Sequence, residues 1–131
     1  MEATIQQLIA NNKRPILFEQ VPSYPFLPSN CLVKKATYSW MKEENCNIEQ
    51  GNVMKRQAYS NIVIAEMEDK YPQLMVIRVN ELICRGGQCL SELDAIPIYR
   101  DNDHLNIEGS RKLFELYRQT HAYQKLQYIL Q

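Results

Sequence analysis

Asp101, Asp103 and His104 crowd into residues 97–113, PIYRDNDHLNIEGSRKL. A carboxylate that holds the Nδ1–H of an imidazole leaves Nε2 free to take a proton, which is what a general base needs. Asp101 stands three residues before His104, so one tight turn can return its carboxylate to the ring. Asp103 is then expected to point elsewhere, toward solvent or a loop amide. Two other readings fit the same residues. The acids and His104 could ligate a metal ion, or the segment could be a polar turn in which Asn106 caps the next helix. On spacing alone D-x-x-H is a weak signal, and the capping turn is the plainer reading.

Such a loop acts only if it is held between a buried strand and a helix. Residues 2–12 put Ile5, Leu8 and Ile9 at helical spacing. Residues 14–22, RPILFEQVP, form a short apolar run closed by proline and predict a buried strand. The prolines that follow argue for a long loop through SYPFLPSNCLVKK. Residues 52–71 predict a helix with Val53, Ala58, Ile62, Ala65 and Met67 along one side. Residues 74–80, LMVIRVN, are β-branched and predict a second buried strand. Residues 81–103 read as irregular, with a short strand over 95–99. Asn106 then opens a closing helix, broken near His121.

This alternation predicts an α/β fold with a parallel sheet. Two strands make a poor sheet, since four to six is usual. The chain therefore reads as the back half of a doubly wound domain, a single unit over residues 1–131.

The chain has 131 residues, enough for one domain with a core. Its 15 basic and 15 acidic residues cancel, so no basic excess points to nucleic acid. No run is long enough to span a membrane, and the N-terminus lacks the apolar stretch of a signal peptide. We expect no cofactor and no metal. The cysteines Cys31, Cys46, Cys84 and Cys89 fall in two local pairs, none of them C-x-x-C. Two disulfides suit that pattern and need an oxidising compartment. The missing export signal conflicts with this unless the chain is part of a longer exported protein. Zinc is the rival for Cys84 and Cys89. A disulfide closing the RGGQ loop is the alternative, its glycines allowing the tight path.

The stretch PIYRDNDHLNIEGS resembles the last motif block of the SGNH hydrolase superfamily. It is closest to the SGNH domain at the C-terminus of acyltransferase family 3 proteins, the polysaccharide and O-antigen O-acetylases. There the block runs tyrosine, arginine, an acidic run, His-Leu-Ser and a Gly-Ala pair. Here it runs Tyr99, Arg100, Asp101-Asn102-Asp103, His104-Leu105-Asn106 and Gly109-Ser110. ICRGGQC resembles the cysteine pair that precedes the block in those domains, and RPILFEQVPSYP their late strand and proline loop.

The resemblance implies a three-layer, flavodoxin-like parallel sheet, here lacking its N-terminal strands. It implies that Asp101 orients His104, and that His104 is the base for a serine that attacks an acyl donor. The acyl group then passes to a carbohydrate hydroxyl, or to water in an esterase. It implies a place on the periplasmic face of the membrane. Partners would be a membrane acyltransferase domain or the missing N-terminal half.

The family's Gly-Asp-Ser block, and the glycine and asparagine of its oxyanion hole, have no counterpart here. The serines are Ser23, Ser29, Ser39, Ser60, Ser91 and Ser110, and none follows Gly-Asp. The chain is thus expected to be a C-terminal portion, inactive alone: a truncated product, a separately encoded piece or an expressed fragment. The rival is a non-catalytic, partner-binding remnant, whose exposed strand edges would favour docking or dimerisation. Trp40 with Tyr38 reads as loop packing or as a sugar or acyl subsite. His121, with no acid nearby, reads as a surface or core residue. Phe114, Tyr117, Tyr123 and Tyr128 read as packing of the last helix.

Overall fold

A computed structural model describes residues 1–130. Helix α1 (Glu2–Ala10) leads into strand β1 (Ile16–Phe18), and helix α4 (Ala58–Lys70) into strand β3 (Met75–Ile77). The two strands pair in parallel, Ile16 opposite Met75 and Phe18 opposite Ile77. Helices and strands that alternate around a parallel pair are what an α/β fold requires. Ile5 of α1, Met67 of α4 and Leu74 close a small core beside this pair.

The helix expected over residues 52–71 comes in two pieces, α3 (Gln50–Arg56) and α4, broken at Gln57. The break shifts the buried face. Val53, Ile64 and Met67 are buried, whereas Ala58, Ile62 and Ala65 are exposed, contrary to the expected stripe. Gln57 is itself buried. Its amide donates to the carbonyls of Gln20 and Val21 at 3.1 and 3.0 Å and accepts from Asn80 Nδ2 at 2.7 Å. One polar side chain thus ties the segment after β1 to the segment after β3.

Three further expectations need correction. The segment after β1 is not all loop: Pro28 starts helix α2 (Pro28–Thr37), where its missing N–H costs nothing. A turn of 3-10 helix, Ser39–Met41, follows. Residues 81–103 are not irregular either. Helix α5 (Val79–Ile83) leads into a hairpin of β4 (Cys84–Arg85) and β5 (Gln88–Cys89), with β2 (Ile48–Glu49) on its far side. A second hairpin joins β6 (Glu92–Leu93) to β7 (Ile96–Pro97). Gly86 and Gly87 turn the first hairpin at φ 59° and 79°, a backbone that other residues resist. Among the described residues the strands form three small sheets of two, three and two strands rather than one. The closing helix divides into α6 (Ile107–Tyr117) and α7 (His121–Leu130), as expected.

The main core gathers Tyr24, Val53, Ile77, Val79, Ile83, Leu93, Ile98, Tyr99 and Tyr117 around the two hairpins. Tyr117 meets Tyr123 edge-on at 5.6 Å, and Phe114 meets Tyr123 at 6.1 Å. Tyr128 is exposed and does not share in that packing. Disulfides join Cys31 to Cys46 and Cys84 to Cys89. The first closes a span of 15 residues and pins α2 beside the start of β2. A loop of that size limits the unfolded chain by about 3 kcal/mol. Replacing Cys31 and Cys46 together by serine is therefore expected to lower unfolding free energy by about 3 kcal/mol, read from urea denaturation. No helix among the described residues is long and apolar enough to cross a membrane.

Candidate active site

The Asp101–His104 loop has a pinned neck. Ile98, fully buried, follows β7; its carbonyl accepts from Asn106 N at 3.0 Å. Arg100 N donates to the His104 carbonyl at 2.9 Å, and Tyr99 bridges Leu105. Residues 100–104 are left as a tight excursion. Inside it Asp101 Oδ1 accepts from the backbone N–H of Asp103 at 3.1 Å and of His104 at 2.7 Å. This is the turn that a short acidic side chain makes with its own backbone two and three residues on.

The same carboxylate reaches the ring. Its oxygens lie 3.0 and 3.1 Å from His104 Nδ1. Arg100 adds Nε and Nη2 to Oδ2 at 3.3 and 3.2 Å. The Asp103 backbone N–H, then the backbone and ring of His104 and the Arg100 guanidinium, hold the Asp101 carboxyl well below the usual carboxylate range, against its desolvation. Asp101 is thus an anion at neutral pH and makes Nδ1 the protonated ring nitrogen, an assignment drawn from the bonding pattern. The side chain of His104 is 63% exposed. Its Nε2 meets no hydrogen-bond partner among the described residues.

Asp103 does not point away as expected. Its Oδ1 lies 2.9 Å from His104 Nδ1, so two carboxylates flank one N–H. The excursion is too short to send both acids outward. Asp101, Asp103 and His104 also place one potential ligand atom each within 4.8 Å of one another. A metal bound through Nδ1 would displace that nitrogen's contact with Asp101. The zinc reading of Cys84 and Cys89 falls, because both are in a disulfide and offer no thiolate.

What holds the excursion was not visible in the local motif. Tyr24, from the proline segment after β1, is buried and binds three parts of the neighbourhood. Its N–H donates to the Asn102 carbonyl at 2.7 Å, and its hydroxyl to the Cys89 carbonyl at 2.8 Å. Its ring lies 4.8 Å from that of Tyr99. Burial pushes the Tyr24 hydroxyl well above the usual phenol range, so it stays a donor. The disulfide-closed hairpin thereby braces the histidine loop through Tyr24. The one signal in the sequence was a tyrosine between prolines in PSYP.

Beyond the loop, Asn106 caps α6: its Oδ1 accepts from Gly109 N at 2.6 Å, and its amide donates to the carbonyls of Pro97 and Tyr99 at 2.8 and 3.4 Å. The capping turn and the aspartate–histidine pair therefore coexist. Gly109 is forced by packing, since a Cβ there would sit 2.2 Å from the Ile98 carbonyl oxygen. Gly109→Ala is expected to push α6 off the neck of the loop and to cost about 1–3 kcal/mol, read from thermal unfolding.

The structure does not bring a serine to His104. Ser91 is buried against Asn47, with which its N–H and hydroxyl both bond. The hydroxyls of Ser60 and Ser110 donate to the carbonyls of Gln57 and Asn106, each within its own helix turn. Among the described residues no serine bonds His104. Tyr38 and Trp40 lie apart from the loop in sequence and are exposed, their rings 5.8 Å apart. His121 is exposed at the start of α7, with Gln124 Oε1 3.2 Å from its Nδ1.

No curated protein and no solved structure matches the chain. One family model, described as the SGNH domain fused to AT3 (acyltransferase family 3) domains, matches residues 1–119. That span takes in both parallel strands, both disulfides and the whole Asp101–His104 loop, and on this match the chain belongs to the family of SGNH domains fused to AT3 domains.

Proposed function

We propose that the chain is the acid–base portion of an SGNH-type O-acyltransferase centre acting on cell-surface carbohydrate. The observation that carries this reading is the grip of Asp101 on His104 Nδ1, with Nε2 left free. In that role Nε2 takes the proton of a serine hydroxyl supplied by another segment. The serine oxygen attacks the acyl carbonyl, and His104 then protonates the leaving group. An acyl-enzyme remains. A sugar hydroxyl, deprotonated by the same Nε2, attacks it and carries the acyl group away as the acyl–serine bond breaks, and Nε2 returns the proton to the serine oxygen. Asp101 stabilises the imidazolium at each proton uptake without taking the proton itself.

The two disulfides support a periplasmic setting, because such bonds persist in oxidising compartments. The AT3 association of the family supports a membrane acyltransferase domain as the source of the acyl group. Among the described residues no serine bonds His104, so the chain alone is expected to be inactive. The test is hydrolysis of p-nitrophenyl acetate, with fluorophosphonate labelling of the serine. The chain alone should give neither. The chain joined to the Gly-Asp-Ser segment of a family member should give both. Turnover by the isolated chain would sink the assignment. A second reading, a non-catalytic partner-binding piece, draws on strand β1, which pairs with β3 alone and leaves Ile16 and Phe18 exposed, and it wins if no serine-bearing segment restores turnover.

A further inference from the structure

Trp40 is 79% and Tyr38 48% exposed, so neither packs the loop it stands in. Their rings lie 5.8 Å apart and 30° from parallel. The Ser39–Met41 turn sets them there, closed by Met41 N donating to the Tyr38 carbonyl at 3.0 Å. Two neighbouring aromatic faces left in water forgo the burial that such side chains ordinarily gain.

The turn borders a cleft of about 490 Å³ between α2 and the hairpin of β6 and β7. Leu32 and Val33 of α2 and Pro97 of β7 give it apolar walls. Lys35 of α2, Lys42, two residues after Trp40, and Glu92 of β6 bring charge to it. Lys35 and Glu92 are half-buried, yet among the described residues none of the three charges forms an ion pair. Opposite charges that line one cleft without meeting leave a polar gap between them. Apolar walls with a few polar groups are the makeup of a small-ligand site. The cleft also abuts the neck of the histidine loop, since the Pro97 carbonyl is the one that Asn106 Nδ2 holds at 2.8 Å.

We infer that this cleft and the Tyr38–Trp40 rings bind a saccharide that carries a carboxylate. A pyranose ring turns a face of C–H groups toward an aromatic ring, which attracts them through its electron-rich face. Its hydroxyls then point to the polar groups of the cleft. Two ammonium groups against one carboxylate leave the cleft net positive. The sugar carboxylate meets Lys35 and Lys42, and Glu92 accepts from a hydroxyl. A membrane surface fits this place less well: Glu43 and Glu44 follow Lys42 and repel anionic headgroups, and the site is a hollow rather than a protruding face. Only the fate of the bound sugar, its acylation, rests on the acid–base reading; binding stands on the cleft alone.

Trp40 is the one tryptophan of the chain, so its fluorescence reads the site directly. The test titrates trigalacturonate and sialyllactose into the full chain, with maltotriose as the neutral counterpart. At least one acidic sugar should shift the Trp40 emission and bind about tenfold or more tighter than maltotriose by calorimetry. K35Q combined with K42Q should weaken that binding by about tenfold or more, and so should W40A. Unchanged circular dichroism checks that these variants stay folded, and added salt should weaken binding to the wild-type chain as the lysine changes do. No binding of either acidic sugar, equal binding of maltotriose, or binding indifferent to W40A or to the lysine pair overturns the inference. So does a shift of Trp40 emission on phosphatidylglycerol vesicles without a response to sugar, which would make a lipid surface the occupant. Acidic-sugar binding at this cleft by a chain to which no serine-bearing segment restores turnover upholds the cleft and defeats the acid–base reading instead.

Discussion

His104→Ala is expected to lower kcat of the serine-supplied domain by about a millionfold, the scale seen when the base of a serine triad is removed. The effect is this large because base and nucleophile act as a unit. Without Nε2 the serine stays a weakly nucleophilic hydroxyl, and only binding and oxyanion contacts remain. Stability should barely change. The ring is 63% exposed, and the loop is held by backbone groups of Asp103, His104 and Arg100 rather than by the imidazole. The measurement is kcat/KM for p-nitrophenyl acetate alongside an unfolding curve. Loss of activity with an unshifted midpoint marks a chemical role; a matching loss of stability would mark a structural one.

Asp101→Asn is expected to lower kcat by about 10⁴-fold, as when a triad aspartate becomes its amide. An asparagine Oδ1 can still accept the Asp103 and His104 N–H groups, so the turn survives. Its NH2 facing Nδ1 forces the proton onto Nε2, and the ring can no longer accept there. Asp103, 2.9 Å from Nδ1, partly opposes that change, so adding Asp103→Asn should deepen the loss. The pH dependence of stability follows from the lowered carboxyl of Asp101. A carboxyl depressed by folding stabilises the fold above its unfolded pKa of about 3.9, and that contribution disappears as pH falls through the folded value. The stability gap between the wild-type chain and D101N should therefore narrow below about pH 4. A gap that fails to narrow below about pH 4 would contradict the hydrogen-bond arrangement.

The candidate site was legible in the sequence to the extent that it is local. Asp101, Asp103, His104, Asn106 and Gly109 lie within nine residues, and none of their side-chain bonds spans more than nine positions. Spacing is enough to anticipate contacts of that kind. The inward turn of Asp103 was missed because alternation of side chains fails in so tight an excursion. The bracing was hidden for a different reason. Tyr24 reaches Cys89 across 65 positions and Gln57 reaches Gln20 across 37, and a single sequence carries no periodic signal for such pairings. Helix α2 was obscured by prolines, of which only Pro28 sits at a helix start. The hairpins of residues 84–97 have two-residue strands, too short for an alternating pattern to register. Strands β1 and β3 were legible as apolar runs, but their exposure was not. Ile-Leu-Phe reads as buried, yet β1 lies uncovered on its outer edge.

The most direct measurement of the central claim is the pre-steady-state burst of p-nitrophenol from the serine-supplied domain, compared between wild type and H104A. The account predicts a burst equal to the concentration of active sites in wild type, and none in H104A. A burst of the same size and rate in H104A would contradict it, because the serine would then be acylated without His104 as its base.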